Sequence, residues 1–459
     1  MFSHSTAGMT ALLADRSLPA EAPSWGSERL PTLGYLLRSG VGTPAESYLL
    51  FVTEYMRSPD GEIWPPDTGT IAGWYALGKP LGGAFSRAPE TAHSVTVNRV
   101  LPAVNWDPAS GASVQGAGFV TSSRHDGSAF LPGADYANVL FDVWTNRDFW
   151  LSIPKDMPPL PKRQREGKTP YKWRRQLWRV DGAGEGGPSY LVLKDTVFGG
   201  EPTQWHFWTW SEKIGTPEEA AAGESFLADK PGAKIAQCRE LKGNRFTAVG
   251  QFGVDVEYYL AAPADTPRHT LRFGVSQGAY GVGRAIPEYQ DLLCLQREDD
   301  GEYFVVLCAR EQNAAVPQFE TCAEGRAVKI SGDFGSDIVF VCRERSTGKV
   351  GSFQFEAEAL VIQERSGRLR LLFGSPGNFV SERLTIRTSV PVEAKIGDGE
   401  ILVFARPGND QAGIEIEQAG SWTLGKGSDK GVKWMPAKER GGTLSFPSGA
   451  AKAVLTKRR

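Results

Sequence analysis

The chain has 459 residues with 51 Lys and Arg against 53 Asp and Glu, a net charge of −2. That near-neutral balance excludes a chain-wide cationic field of the kind that draws in nucleic acid or an anionic membrane. Its 53 Gly, 30 Pro, 13 Trp, 12 Tyr and 23 Phe suit many short strands joined by tight turns, and no apolar run reaches the roughly 20 residues of a membrane span.

Residues 1–30 read as an irregular tail punctuated by Pro19 and Pro23. Residues 1–14 lack a basic n-region and their apolar stretch is broken, so no signal peptide is expected in this chain. From Gly34 a period of two takes over, with strands expected at 35–39, 47–52, 71–76, 93–100, 137–145, 175–180, 190–195, 205–210, 246–249 and 254–260. A short helix is expected at 217–222, because Thr216 can cap Pro217-Glu218-Glu219-Ala220-Ala221-Ala222. Further strands are expected at 303–309, 327–331, 337–343, 351–355, 359–364, 368–373 and 384–387. Weaker, Gly-rich strands follow at 401–405 and 413–417.

The fold class is therefore all-β: a large two-sheet antiparallel sandwich, a supersandwich, over 31–390, with a small C-terminal β cap at 391–459. No repeat of 20–50 residues appears, which excludes a propeller or solenoid. Cys238, Cys294, Cys308, Cys322 and Cys342 are odd in number and contain no C-x-x-C pair. They are expected to be thiols packed as small hydrophobes.

An ordered set of motifs stands out within 34–390. Gly34-Tyr35 is followed by Glu46-Ser47-Tyr48-Leu49-Leu50-Phe51, then Asp67-x-Gly69-x-Ile71 running into Tyr75-Ala76-x-Gly78-x-Pro80-Leu81, then His93-Ser94-Val95-Thr96-Val97. Downstream lie Trp173-Arg174-Arg175-Gln176-Leu177, Tyr190-Leu191-Val192-Leu193-Lys194-Asp195 and Trp205-His206-Phe207-Trp208. In order and spacing this set resembles the heparinase II/III-like polysaccharide lyases, in the region of their C-terminal β-sandwich.

The resemblance implies β-elimination on an acidic, uronate-containing polysaccharide, in the periplasm or outside the cell. It implies an α/α-toroid ahead of the sandwich carrying the catalytic Asn or His and Tyr; this chain has too few residues before its first strand for one. An upstream domain or partner chain would have to supply it. The family's residual metal positions are Asp67 and His93. The preceding run Gly61-Glu62-Ile63-Trp64-Pro65-Pro66 has no His, and Gly82-Gly83-Ala84-Phe85 has no Asp. One Asp and one His fall short of the three or four ligands of a zinc site, so no metal or other cofactor is expected.

Elimination needs a group to neutralise the uronate carboxylate, a base for the C5 proton and an acid for the leaving oxygen. His93 and His206 are the candidate proton carriers among five His. His125, beside Asp126, is placed in a hairpin turn, where sequence neighbours point apart. His269 is placed in a loop. The segment 155–179 gathers Lys and Arg with interleaved aromatics, and Tyr171, Trp173, Arg174 and Arg175 are the candidate substrate-binding residues. Arg grips carboxylate or sulfate bidentately and an aromatic face stacks on a sugar ring. The alternative is a catalytically inactive carbohydrate-binding or structural β-sandwich.

Overall fold

The computed structural model describes residues 26–54, 68–83, 98–102, 118–145, 170–182, 186–200, 202–221, 236–276, 285–397, 399–406, 412–418, 420–437, 441–449 and 451–457. Within them the chain is all-β, in three antiparallel sheets. An outer sheet of ten strands begins Glu28–Leu30, Gly34–Ser39, Ser47–Val52, Ile71–Ala76 and Lys79–Gly83. It continues through Thr203–Thr209, Ala285–Arg297, Arg268–Ser276 and Ala236–Glu240, with Val100–Pro102 alongside. A central sheet of eight strands runs Ser211–Gly215, Arg245–Gly250, Val254–Ala262, Gly301–Glu311, Ser189–Phe198, Pro170–Val180, Ala134–Thr145, Gly118–Leu131. The third sheet takes fourteen strands, from Gln318–Cys322 to Ala451–Lys457.

Strand alternation explains the stacking. Along Ser189–Phe198, Leu191, Leu193 and Val197 pack with the outer sheet, while Tyr190 and Val192 pack with the third sheet. Val339 and Val341 join that second core, and their neighbours Ile338 and Phe340 face a third, against Phe379, Ile401 and Leu455. The third sheet thus curls over itself, and the central sheet is covered on both faces. Strand Ser189–Phe198 is accordingly buried along nearly its whole length. Each fully buried aliphatic side chain contributes about 1.5–3 kcal/mol.

The division expected at 390/391 does not appear as a structural break. Val392–Ile396 pairs with Arg368–Phe373, and Ala412–Gln418 with Leu384–Thr388, so the C-terminal strands complete the third sheet rather than forming a separate cap. The tail ends sooner than expected too, since Glu28–Leu30 is already a strand of the outer sheet. The helix is present at Pro217–Ala221. Glu219 N–H donates to Thr216 Oγ1 (3.3 Å), and Thr216 N–H donates to Glu219 Oε2 (2.8 Å), a reciprocal capping box.

One buried ion pair fastens the outer sheet to the central one. Arg175, 0% exposed, donates from Nε and Nη2 to the two oxygens of Asp195 at 2.7 and 2.9 Å. Trp173 Nε1 (2.7 Å) and Trp205 Nε1 (2.8 Å) donate to the same carboxylate. Arg175 Nη1 donates to the carbonyls of Gly69 (3.1 Å) and Asn98 (2.7 Å). Gly69 has φ +86°, and a Cβ there would lie 2.4 Å from Trp173 Cζ3, so both backbone and space demand glycine. Buried charge is tolerated here because the carboxylate accepts four hydrogen bonds and the guanidinium donates four.

A second set ties the central to the third sheet. Asp337 accepts from Tyr190 OH (3.0 Å), Gln363 Nε2 (2.7 Å) and Arg365 Nη2 (2.8 Å), while burial pushes its carboxyl pKa up against the pull of Arg365.

Removing one partner of the inner pair leaves an uncompensated buried charge. Arg175→Met is expected to cost about 3–5 kcal/mol, measured by denaturant unfolding. Pairing it with Asp195→Leu should recover part of that loss, which a double-mutant cycle will show.

Candidate functional site

Three of the four expected substrate-binding residues lie in the interior. Tyr171, Trp173 and Arg175 are 2%, 0% and 0% exposed, because alternate residues of strand Pro170–Val180 face the outer sheet. This corrects the expected ligand patch: the aromatic and cationic residues supply a buried interlayer network instead. Arg174 points the other way and is partly exposed. Residues 155–169 of the basic segment lie outside the described residues, as do Asp67 and His93.

His206 is also interior, 3% exposed. Its N–H donates to Arg99 O at 3.0 Å, and Nε2 lies 3.3 Å from Gln204 Oε1. Burial, helped by the nearby Arg99 charge, lowers its pKa to about 3, so it is neutral and closed to substrate. His269 lies in strand Arg268–Ser276 rather than a loop. Among the described residues, no three His, Cys, Asp or Glu side chains are grouped to hold a metal ion.

The structure instead assembles a polar ridge around His125. This residue belongs to Gly118–Leu131, the edge strand of the central sheet, and the chain reverses later, between Leu131 and Ala134. The Asp126-Gly127 turn signal produces a β-bulge, with the register shifting between His125 and Gly127. His125 Nδ1 lies 2.9 Å from Tyr35 OH, and Nε2 lies 2.7 Å from Glu54 Oε1. Arg29 Nη2 donates to the same Glu54 oxygen at 3.0 Å.

Burial pushes the Tyr35 hydroxyl up to about 12, so it stays protonated at neutral pH and donates to Nδ1. The imidazole proton is then on Nε2 and faces Glu54. Burial first, and the Arg29 charge second, lower the His125 pKa and favour this neutral form.

On the other face of the strand, Arg124 donates to both oxygens of Asp126 at 2.6 and 3.1 Å. Arg174 Nη2 reaches Asp126 Oδ2 at 2.8 Å, and Arg174 Nη1 donates to Asn138 Oδ1 at 3.2 Å. Asn138, Tyr136 and Gln176 all donate to Glu358 Oε1 across the gap to the third sheet, at 2.7, 2.8 and 3.2 Å. The hydrogen bonds from Arg124, chiefly, hold the Asp126 carboxyl below its ordinary pKa. Two guanidiniums converge on one carboxylate at the edge of the sheet. Sequence reasoning weighed His125 with Asp126; Tyr35 and Glu54, distant in the chain, are its partners.

No known protein-family profile matches the chain, and no curated protein matches it in sequence. Among solved structures it is similar to heparan sulfate lyase HepC from Pedobacter heparinus, at 10% identity and TM-score 0.41, covering 70% of this chain and 43% of that one. It is also similar to a Paenibacillus xanthan lyase, at 9% identity and TM-score 0.47, covering 99% and 39%. A third is the chondroitin AC lyase of Streptomyces coelicolor A3, solved with chondroitin sulphate, at 14% identity and TM-score 0.41, covering 99% and 52%. These structural neighbours are polysaccharide lyases, and the chain spans roughly half their length or less. With TM-scores below 0.5, the likeness assigns neither membership nor activity.

A folded-state pKa near 3 against about 6.5 unfolded means that the folded state binds fewer protons between those values. Stability from His206 is therefore full above pH 6.5 and is lost as pH falls toward 3. His206→Gln is expected to unfold with a shallower acid dependence than the unaltered chain over that window, as measured by urea melts at stepped pH.

Proposed function

We propose that the chain is the β-sandwich portion of a heparinase II/III-like polysaccharide lyase, binding acidic, uronate-containing polysaccharide for β-elimination. An α/α-toroid, from an upstream domain or a partner chain, completes the catalytic set. The observation that carries this reading is the ridge. Arg124 and Arg174 share one carboxylate and offer positive charge to a carboxylate or sulfate, beside a phenol, an imidazole and a carboxylate hydrogen-bonded in line. The ordered motifs add support, since Gly34–Ser39, Ser47–Val52, Ile71–Ala76 and Lys79–Gly83 form consecutive strands of one sheet. The same reading puts the protein in the periplasm or outside the cell. No described helix is long and apolar enough to cross a membrane.

A second reading, a catalytically inactive carbohydrate-binding or structural sandwich, is favoured by a specific feature. Tyr35 is 1% exposed, and both nitrogens of His125 are engaged within the protein. Neither can take a sugar's C5 proton as placed. The lyase and carbohydrate-binding readings share the binding step and differ in the chemistry.

The test separates the two. Heparin, heparan, alginate and ulvan are incubated with the chain while ultraviolet absorbance follows the unsaturated product, and binding is followed on a heparin column. The chain alone is expected to bind without turnover, and a helical toroid added in cis or trans should restore elimination. No turnover with any such toroid leaves the inactive module. Reversing charge with Arg124→Glu should lower retention with the melting temperature little changed, because that side chain is 68% exposed. Arg174→Glu, at a side chain 14% exposed, should lower retention and the melting temperature together. Unchanged retention overturns the ridge as the polyanion site.

A further inference from the structure

The hairpin between Gly335–Val350 and Phe353–Arg365 is interrupted at mid-length. Val341 pairs with Ala359 and Ser346 with Ala357, so four residues, Cys342-Arg343-Glu344-Arg345, stand opposite Glu358 alone. An ordinary bulge re-aims one side chain; this larger one projects a short charged run from the third sheet. Val341 and Cys342 turn their carbonyls to the central sheet, where they accept from Lys194 Nζ at 2.9 Å and Gln176 Nε2 at 2.7 Å. With its base held in this way, the run leaves the Arg343 and Glu344 side chains 54% and 81% exposed.

Arg343 reaches across to the central sheet. Its guanidinium lies over the Phe198 ring, 4.5 Å from the centroid, and among the described residues it donates no hydrogen bond. Its Nε stands 3.8 Å from Glu344 Oε1, an exposed ion pair beyond hydrogen-bonding reach. Phe198 is directly paired with Lys172, so the two side chains leave by one face and start about 5 Å apart. Farther along these strands the same face, at Trp178 and Tyr190, packs with the third sheet. Lys172 emerges from under that cover, 62% exposed, with its ammonium 3.7 Å from Asp142 Oδ1. The contrast with the ridge lies in the donors. Arg124 and Arg174 direct theirs at Asp126 and Asn138, whereas stacking fixes the plane of Arg343 and leaves its N–H edge open to water.

We propose that Arg343 and Lys172 form a clamp for one anionic group, a carboxylate or a sulfate, of an acidic polysaccharide. The Arg343 fork takes two oxygens side by side, and Lys172 adds a point charge from beside Phe198. Asp142 and Glu344 flank the pair and offer acceptors to sugar hydroxyls next to the anion. Two cations between two carboxylates suit one anionic group set among hydroxyls, and fall short of the continuous basic track that a nucleic-acid backbone needs. The inference rests on the reading that the chain binds acidic polysaccharide, but it uses no residue of the ridge.

Calorimetric titration of the full chain with heparin hexasaccharides, which carry sulfate and carboxylate, and alginate hexasaccharides, which carry carboxylate only, tests the clamp. Arg343→Ala should weaken binding about tenfold, the loss of one charge-assisted pair, with the melting temperature little changed because the side chain is exposed. Phe198→Leu leaves every charge in place and should weaken binding about threefold by freeing the guanidinium. Heparin binding alone, lost in Arg343→Ala, upholds the clamp and assigns sulfate as its anion; equal losses with both oligosaccharides assign carboxylate. Unchanged affinity in Arg343→Ala beside a loss in Arg124→Glu overturns the clamp and leaves the ridge standing. A loss in Arg343→Ala with Arg124→Glu unchanged upholds the clamp and removes the ridge. No binding of either oligosaccharide by the unaltered chain overturns the clamp and the polysaccharide reading together.

Discussion

The architecture depends on the closed pair between Arg175 and Asp195. Two opposite charges removed from water are costly unless every remaining hydrogen-bonding position is filled. Here two indoles complete the carboxylate, while the carbonyls of Gly69 and Asn98 occupy Nη1. The partners come from both sheets and from the Thr68–Thr70 turn, so the pair fixes the spacing and register of the layers at once. Asn98 extends the network: its backbone N–H donates to Thr70 Oγ1 at 2.8 Å, and its Oδ1 accepts from Trp208 N–H at 2.7 Å.

That constraint sorts polar groups by depth. Two ion pairs facing the interlayer cores are hydrogen-bonded within the protein: Arg175 with Asp195 between the first two sheets, and Asp337 with Arg365 between the next two. Polar groups on the edge strand Gly118–Leu131 reach water, and there two arginines share one acid. His125 stands between these regimes, with its ring held by Tyr35 and Glu54 and its chain neighbours in the surface network. Strand alternation makes this possible, since Arg124 and Asp126 leave by one face and His125 by the other.

Much of the fold is legible in the sequence because strand alternation and capping are local. Thr216 and Glu219 are three residues apart and announce their helix, and the period of two in Ser47–Val52 gives its strand. Elsewhere the sequence misleads for physical reasons. Asp126-Gly127 carries turn chemistry, and a bulge uses the same chemistry without reversing the chain. Arg268–Ser276 is rich in polar residues and conceals a strand that pairs on both sides. Arg-Arg with interleaved aromatics reads as a surface patch unless the strand is known to be covered on both faces, and coverage is a property of the stack. The boundary at 390/391 failed for the same reason, since weak Gly-rich strands join the third sheet through partners distant in the chain.

Arg174 and Arg175 show what the motif resemblance reports. They are adjacent, identical in type and opposite in fate, because successive side chains of a strand leave by opposite faces. Gly69, Trp173, Arg175, Asp195 and Trp205, which carry much of the resemblance, all belong to one interlayer fastening. A sequence satisfies that fastening whether or not it performs elimination, so the motifs report the scaffold. Recognition has to be sought where side chains are free of it, at the edge strand, where charge is exposed.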